Sequence, residues 1–88
     1  SGNAFGYKLN EATERIETKI EQYRNMPFED IASENNLPTD GEGYTVSSVV
    51  TDGVPIAEDT KTVVVTVSWR DDTTTKDHQI SFRTIISR

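Results

Sequence analysis

Apolar residues return at steps of three and four along the first quarter of the chain. Phe5, Leu9, Ala12, Ile16, Ile20 and Tyr23 fall within an arc of about 80° at 100° per residue, which predicts an amphipathic helix over 4–26. Glu11, Glu14, Thr18, Glu21 and Gln22 lie on the opposite side. Glu11 and Arg15 are spaced for an i, i+4 ion pair worth about 0.2–0.5 kcal/mol. Pro27 ends the periodicity, because it has no N–H and pushes Met26 out of the α region. Phe28 and Ile31 follow in a short turn that folds back over the helix end. Residues 33–43 are polar and broken by one Pro and two Gly, so 27–43 reads as a connecting loop.

The period then changes from 3.6 to 2. Tyr44, Val46, Ser48 and Val50 share one face of a first strand, and Val63, Val65, Val67 and Trp69 one face of a second. Ile80, Phe82, Thr84 and Ile86 share one face of a third. The connections, 52–60 and 71–77, are too short for crossover helices, so 44–87 is expected to be an antiparallel meander. A sheet with one apolar face and a helix with one apolar stripe must cover each other. The expectation is therefore an α+β domain in which one long N-terminal helix packs on a three- or four-stranded sheet. The Val-rich second strand is placed at its centre, with Trp69 at the helix contact. Ser1–Asn3 read as the remnant of a cleaved tag, leaving 4–88 as one globular domain.

Composition narrows the chemistry. An 88-residue chain holds one domain with a thin core, and without cysteine it has neither disulfides nor thiolate metal sites. A net charge of −6, with scattered basic residues, argues against a nucleic-acid partner. His78 is the single histidine; Ser81 and Asp77 are near it only in sequence, and no serine lies in a nucleophile-elbow pattern. No catalytic site and no cofactor is read from the chain. Asp71, Asp72 and Asp77, with the hydroxyls of Thr73–Thr75, are candidate calcium ligands, although Asp- and Thr-rich hairpin turns are ordinary turn chemistry. Asp52, Glu58 and Asp59 form a second acidic loop. Phe5 and Leu9, at the upper end of the stripe, are expected to project beyond the sheet and stand exposed.

The order of parts resembles a known family. Ala12-Thr13-Glu14-Arg15-Ile16-Glu17, followed by Ile20-Glu21-Gln22-Tyr23-Arg24-Asn25-Met26-Pro27-Phe28-Glu29-Asp30-Ile31, looks like the lower half of the long helix of type IV pilin-like proteins and the Arg-x-Leu-Pro-Phe/Tyr turn that closes it. Lys61-Thr62-Val63-Val64-Val65-Thr66-Val67-Ser68-Trp69-Arg70-Asp71 and His78-Gln79-Ile80-Ser81-Phe82-Arg83-Thr84-Ile85-Ile86-Ser87-Arg88 are similar to the closing hairpin of the same proteins. The two stretches cover about two-thirds of the chain. The family's leader peptide and its apolar first half-helix, with the glutamate that guides assembly, are not in this sequence, nor is the disulfide loop of many major pilins. The resemblance thus implies a minor pilin or type II secretion pseudopilin: a non-enzymatic structural subunit of the cell envelope or an extracellular filament. Its partners would be other pilin or pseudopilin subunits, and its precursor would be anchored in the membrane by a segment outside this chain. Filament contacts are heterologous and need two different patches. The candidates are the exposed end of the stripe, Phe5 and Leu9, and the charged face of Glu11, Glu14, Arg15 and Glu17.

Two other readings compete. In one, the loops at 33–43 and 52–60 make an extracellular adhesion module that binds a ligand or calcium. In the other, the helix-then-sheet order is that of a cystatin-like inhibitor. The Gln-x-Val-x-Gly hairpin of cystatins is missing, and Ser48-Val49-Val50-Thr51-Asp52-Gly53 is a distant echo of it.

Overall fold

In the computed structural model, residues 3–35, 38–53, 59–70 and 76–88 are described, with side chains from Gly6 onward. Helix α1 spans Asn3–Arg24. It closes where the sequence predicts, give or take a residue or two, as the N–H of Asn25 bonds the carbonyls of Glu21 and Gln22 at 3.1 and 3.2 Å. Pro27 then turns the chain out with φ −55° and ψ 139°, and a single 3-10 turn follows at Phe28–Asp30. Three strands complete the domain: β1 (Tyr44–Asp52), β2 (Thr60–Arg70) and β3 (Asp77–Ser87). They form one antiparallel sheet in the order β1-β2-β3, so the Val-rich strand is central.

The register lines up the inner faces. Tyr44 stands opposite Trp69, which stands opposite His78; Val46–Val67–Ile80 and Ser48–Val65–Phe82 form the next rows. Helix α1 lies mainly over β2. Ala12, Ile16, Ile20 and Tyr23 meet Val63, Val65, Val67 and Trp69 there, and Tyr44 and Ile31 close the two ends of this core. All ten are buried, and Val63, Val65 and Val67 are fully so. Ile31 and half-buried Phe28 do fold back over the lower end, where Lys61 donates from Nζ to the carbonyls of Phe28 (2.7 Å) and Ile31 (3.0 Å). The ammonium group thus adds a second donor to the Phe28 carbonyl, which already accepts the Ile31 N–H at 3.2 Å, and supplies one to the Ile31 carbonyl.

One polar group enters the core with its hydrogen bonds met. Ser48 is buried on the inner face of β1 beside the Tyr23 phenol. Tyr23 has one hydroxyl proton, and it goes to the carbonyl of Ala32 at 2.8 Å. The Ser48 hydroxyl therefore donates to the phenol oxygen, while Ser48 Oγ accepts the N–H of Glu34 at 3.2 Å. Glu34 also exchanges two backbone hydrogen bonds with Ser48, at 3.1 and 2.9 Å. This isolated bridge, inside a segment expected to be plain loop, is the trace of a fourth strand among the described residues.

One expectation needs correction, and one exposure is added to the reading of the faces. Phe82 lies on the helix-facing side, as the alternation requires, yet it is 51 % exposed, because a single helix centred on β2 leaves the middle of β3 uncovered. Leu9 is not a projecting residue: it packs against the core and is half-buried. Tyr7 is the exposed apolar side chain at that end, at 64 %.

Trp69 is buried at the upper end of the helix–sheet contact, in the row of Tyr44 and His78, so Trp69→Ala is expected to cost about 3–5 kcal/mol in urea denaturation. Val49→Ala, on the open face of the sheet, should stay within about 1 kcal/mol in the same experiment. Equal losses for the two would contradict this placement of the core.

Candidate functional site

The polar residues of the upper helix converge on the turn before β1. Asp40 organises that turn: its Oδ1 accepts the N–H groups of Glu42 (2.9 Å) and Tyr44 (3.0 Å). Its own N–H bonds the Tyr44 carbonyl at 2.8 Å, and Gly43 N–H bonds the Asp40 carbonyl at 3.0 Å. The turn drives Gly43 to φ +92°, a left-handed conformation that only glycine adopts without strain. Asp-Gly-Glu-Gly before a strand is the sequence mark of such an Asx turn.

Arg15 locks the helix to this turn. Its Nε donates to Asp40 Oδ2 at 2.7 Å, Nη2 to Glu42 Oε1 at 3.2 Å, and Nη1 to the Glu11 carbonyl at 3.0 Å. Its guanidinium lies 4.0 Å from the Tyr44 ring centroid. The Tyr44 hydroxyl reaches the helix at Glu11 Oε1, 2.8 Å, and the Lys8 carbonyl, 3.3 Å. One turn lower, Lys19 pairs with Glu34 at 2.9 Å.

These contacts set the ionisation of the group. Burial pushes the Tyr44 phenol up, and the adjoining Glu11 carboxylate adds to it. The Tyr44 hydrogen bond lowers Glu11. Burial acts to raise Asp40, but Arg15 and the two backbone N–H donors outweigh it and hold the carboxyl below its ordinary value.

The expected interface residues therefore divide. Glu11 and Arg15 are occupied within the fold, and the foreseen Glu11–Arg15 side-chain pair gives way to Arg15 bonding the Glu11 backbone. Glu14 and Glu17 stay exposed on the helix surface. The Phe5 side chain lies outside the described ones. Sequence periodicity missed Asp40, Glu42 and Tyr44 as partners of the helix, because nothing local pairs a turn with a helix 25 residues away.

The far side of Trp69 opens on a shallow cleft of about 600 Å³, walled by Thr39, Thr45, Trp69, Asp77 and His78. His78 stacks on the Trp69 ring at 5.6 Å, and the Tyr44 ring follows at 5.9 Å. A Ser–His–Asp arrangement does not assemble here. Ser81 points to the opposite face of β3 and shares a 2.8 Å hydrogen bond with Thr66, while Asp77 lies 4.0 Å from Arg70. Of the calcium candidates, Asp71 and Asp72 lie outside the described residues, as does Glu58 of the second acidic loop. Among the described residues, no three acidic or histidine side chains gather in a metal-holding group. No family model, no curated relative and no solved structure matches the chain.

Because the folded pKa values of Asp40 and Glu11 are depressed, the unfolded chain binds more protons just below their ordinary values of 3.8 and 4.5. Their stabilisation is complete above that range and is lost as pH falls through it towards the lower folded values. The thermal midpoint should stay level above about pH 5 and decline from there to about pH 2. Asp40→Asn keeps the Asx acceptor but removes the charge; it should lower the neutral-pH midpoint and flatten the acid decline. An acid limb identical in the two proteins would contradict the coupling.

Proposed function

We propose that this chain is a non-enzymatic structural subunit of a cell-surface filament, its helix serving as the lower half of a longer assembly spine. More particularly, it is the globular domain of a minor pilin of a type IV pilus or a pseudopilin of a type II secretion system.

The observation that carries this reading is the offset of α1 along the sheet. The uppermost hydrogen bond from the sheet to the helix among the described residues is at the Lys8 carbonyl, and the helix continues upward to Asn3. At about 1.5 Å per residue α1 is about 33 Å long, and at about 3.3 Å per residue β2 is about 36 Å. The helix thus runs five residues above its last hydrogen-bonded contact with the sheet, in a domain whose longest dimension is 46 Å. The sheet and the 3-10 turn hold the lower turns firmly, while the top turn stands clear with Tyr7 exposed. A rod clamped at one end and free at the other suits a helix whose upper part packs elsewhere. Exposed Glu14 and Glu17 remain available for a heterologous contact.

The coding sequence immediately upstream of Ala4 tests the reading. Expected are about 20 apolar residues, enough to span a bilayer, preceded by a short basic leader ending in Gly. Expressed from that full frame, the protein should resist alkaline extraction from membranes. A hydrophilic upstream segment, or full release by alkali, would overturn the assignment.

A further inference from the structure

The fold treats the two edges of its sheet unequally. The edge of β1 is closed: Glu34 bridges Ser48, Ser33 Oγ accepts the Val50 N–H at 2.7 Å, and Asp40 holds Tyr44. The edge of β3 is open, since among the described residues no segment pairs with its outer side. It is 11 residues long, it pairs with β2 without a bulge, and it contains no proline. Natural sheets blunt long edges with proline, bulges or inward-facing charge. Here a single Arg83 interrupts the strand, with Phe82 and Ile85 both more than half exposed beside it.

We propose that this edge is a self-association surface, on which a second copy of the chain pairs antiparallel with β3 about a twofold axis at Phe82. The result is a continuous six-stranded sheet with both helices on one face.

The strand is self-complementary about that point. Phe82 is the midpoint of Asp77–Ser87, so pairing centred on it uses the whole strand of each copy. It sets the two Phe82 rings side by side, an aromatic cross-strand pair, and keeps each inner face continuous with the next. Each Arg83 stands opposite the second copy's Ser81, and each Ile80 opposite its Thr84. A two-residue shift in one direction brings the two Arg83 side chains face to face; a shift in the other leaves Ile86 and Ser87 unpaired.

The helices supply the charge complementarity. Glu17, Ile20, Glu21 and Arg24 line a groove with Phe82 along the open flank of α1. Arg24 leans over β3, its Nη2 3.5 Å from Thr84 Oγ1. In the joined sheet the two β2 strands lie three strand spacings apart, about 14 Å. Helices centred over them are too far apart for direct packing, which needs about 8–10 Å, but within reach of long side chains. The helices run antiparallel, and Phe82 is level with the middle of the Glu17–Arg24 segment. Each Arg24 therefore meets the second copy's Glu17 across the Phe82 pair, twice by symmetry. The self-complementary contact closes as a dimer rather than growing.

Sedimentation velocity at physiological salt, from about ten micromolar to about one millimolar, tests the proposal over the range where a small interface dissociates. A monomer–dimer equilibrium is expected. Phe82→Lys, at an exposed position, should weaken it about a hundredfold, with an unchanged thermal midpoint at a dilution where both proteins are monomeric. Glu17→Arg and Arg24→Glu should each weaken it about tenfold, and together restore it to within about threefold, which separates pairing from net charge. Hydrogen exchange of the unmodified chain gives an independent reading, since protection of β3 amides should rise with concentration while that of β1 does not. A monomer at every concentration, a dimer indifferent to Phe82→Lys, or charge changes that fail to compensate would each overturn the proposal.

Discussion

Everything in this domain depends on one contact, the stripe Ala12–Ile16–Ile20–Tyr23 seated on the row Val63–Val65–Val67–Trp69. A three-stranded sheet alone buries nothing on its inner face, and a lone helix of this composition is marginal in water. Together they remove one layer of apolar surface from solvent. A chain of this size can build one such layer and little more. The match works because the helix offers one narrow stripe and the central strand one continuous row. Narrowness has a consequence: the stripe covers β2 and its near neighbours, and the middle of β3 is left open at Phe82.

Hydrophobic contact is non-directional, so it does not by itself fix where the helix sits along the sheet. Two tyrosines supply the direction. Tyr23, at the lower end, reaches Ser48 and Ala32; Tyr44, at the upper end, reaches Glu11 and Lys8. Both rings are buried in the apolar layer while their hydroxyls satisfy polar groups at its ends. One-turn slippage of the helix would keep apolar packing but orphan both hydroxyls, each a costly loss in a dry site. Arg15 reinforces the upper end by stacking on Tyr44 and gripping the Asp40 turn. The offset that leaves the first turn of α1 standing clear is therefore fixed by polar geometry.

The helix, the three strands, the central place of β2 and the role of Trp69 were legible in the sequence, because each rests on a local period. Pro27 marked the helix end for an equally local reason. What periodicity does not carry is pairing between distant segments. The Glu34–Ser48 bridge, the Arg15–Asp40 contact and the Tyr23–Ser48 pair join residues far apart in the chain, and no pattern within either segment announces its partner. The covering of Leu9 and the exposure of Phe82 were not legible for one shared reason. Alternation tells which face a residue occupies, whereas exposure depends on the lateral and axial position of the covering element. Arg15 looked like surface charge because helical phase says nothing of a turn brought alongside it.

The unequal edges follow from the same economy of parts. The segment after the helix must travel back from its lower end to the start of β1, and it runs beside β1, where Ser33 and Glu34 close that edge in passing. No comparable segment passes β3 among the described residues, and Arg88 turns back to Glu29 and Asp59 at the lower end. An edge strand next to an uncovered aromatic ring and a flank carrying both signs of charge has the chemistry of an interface. It also lies away from the free helix top, which occupies the opposite end of α1 from the Arg24 flank. The domain thus offers two separable surfaces, one axial and one lateral. A subunit that joined others through its helix top would still present β3 outward.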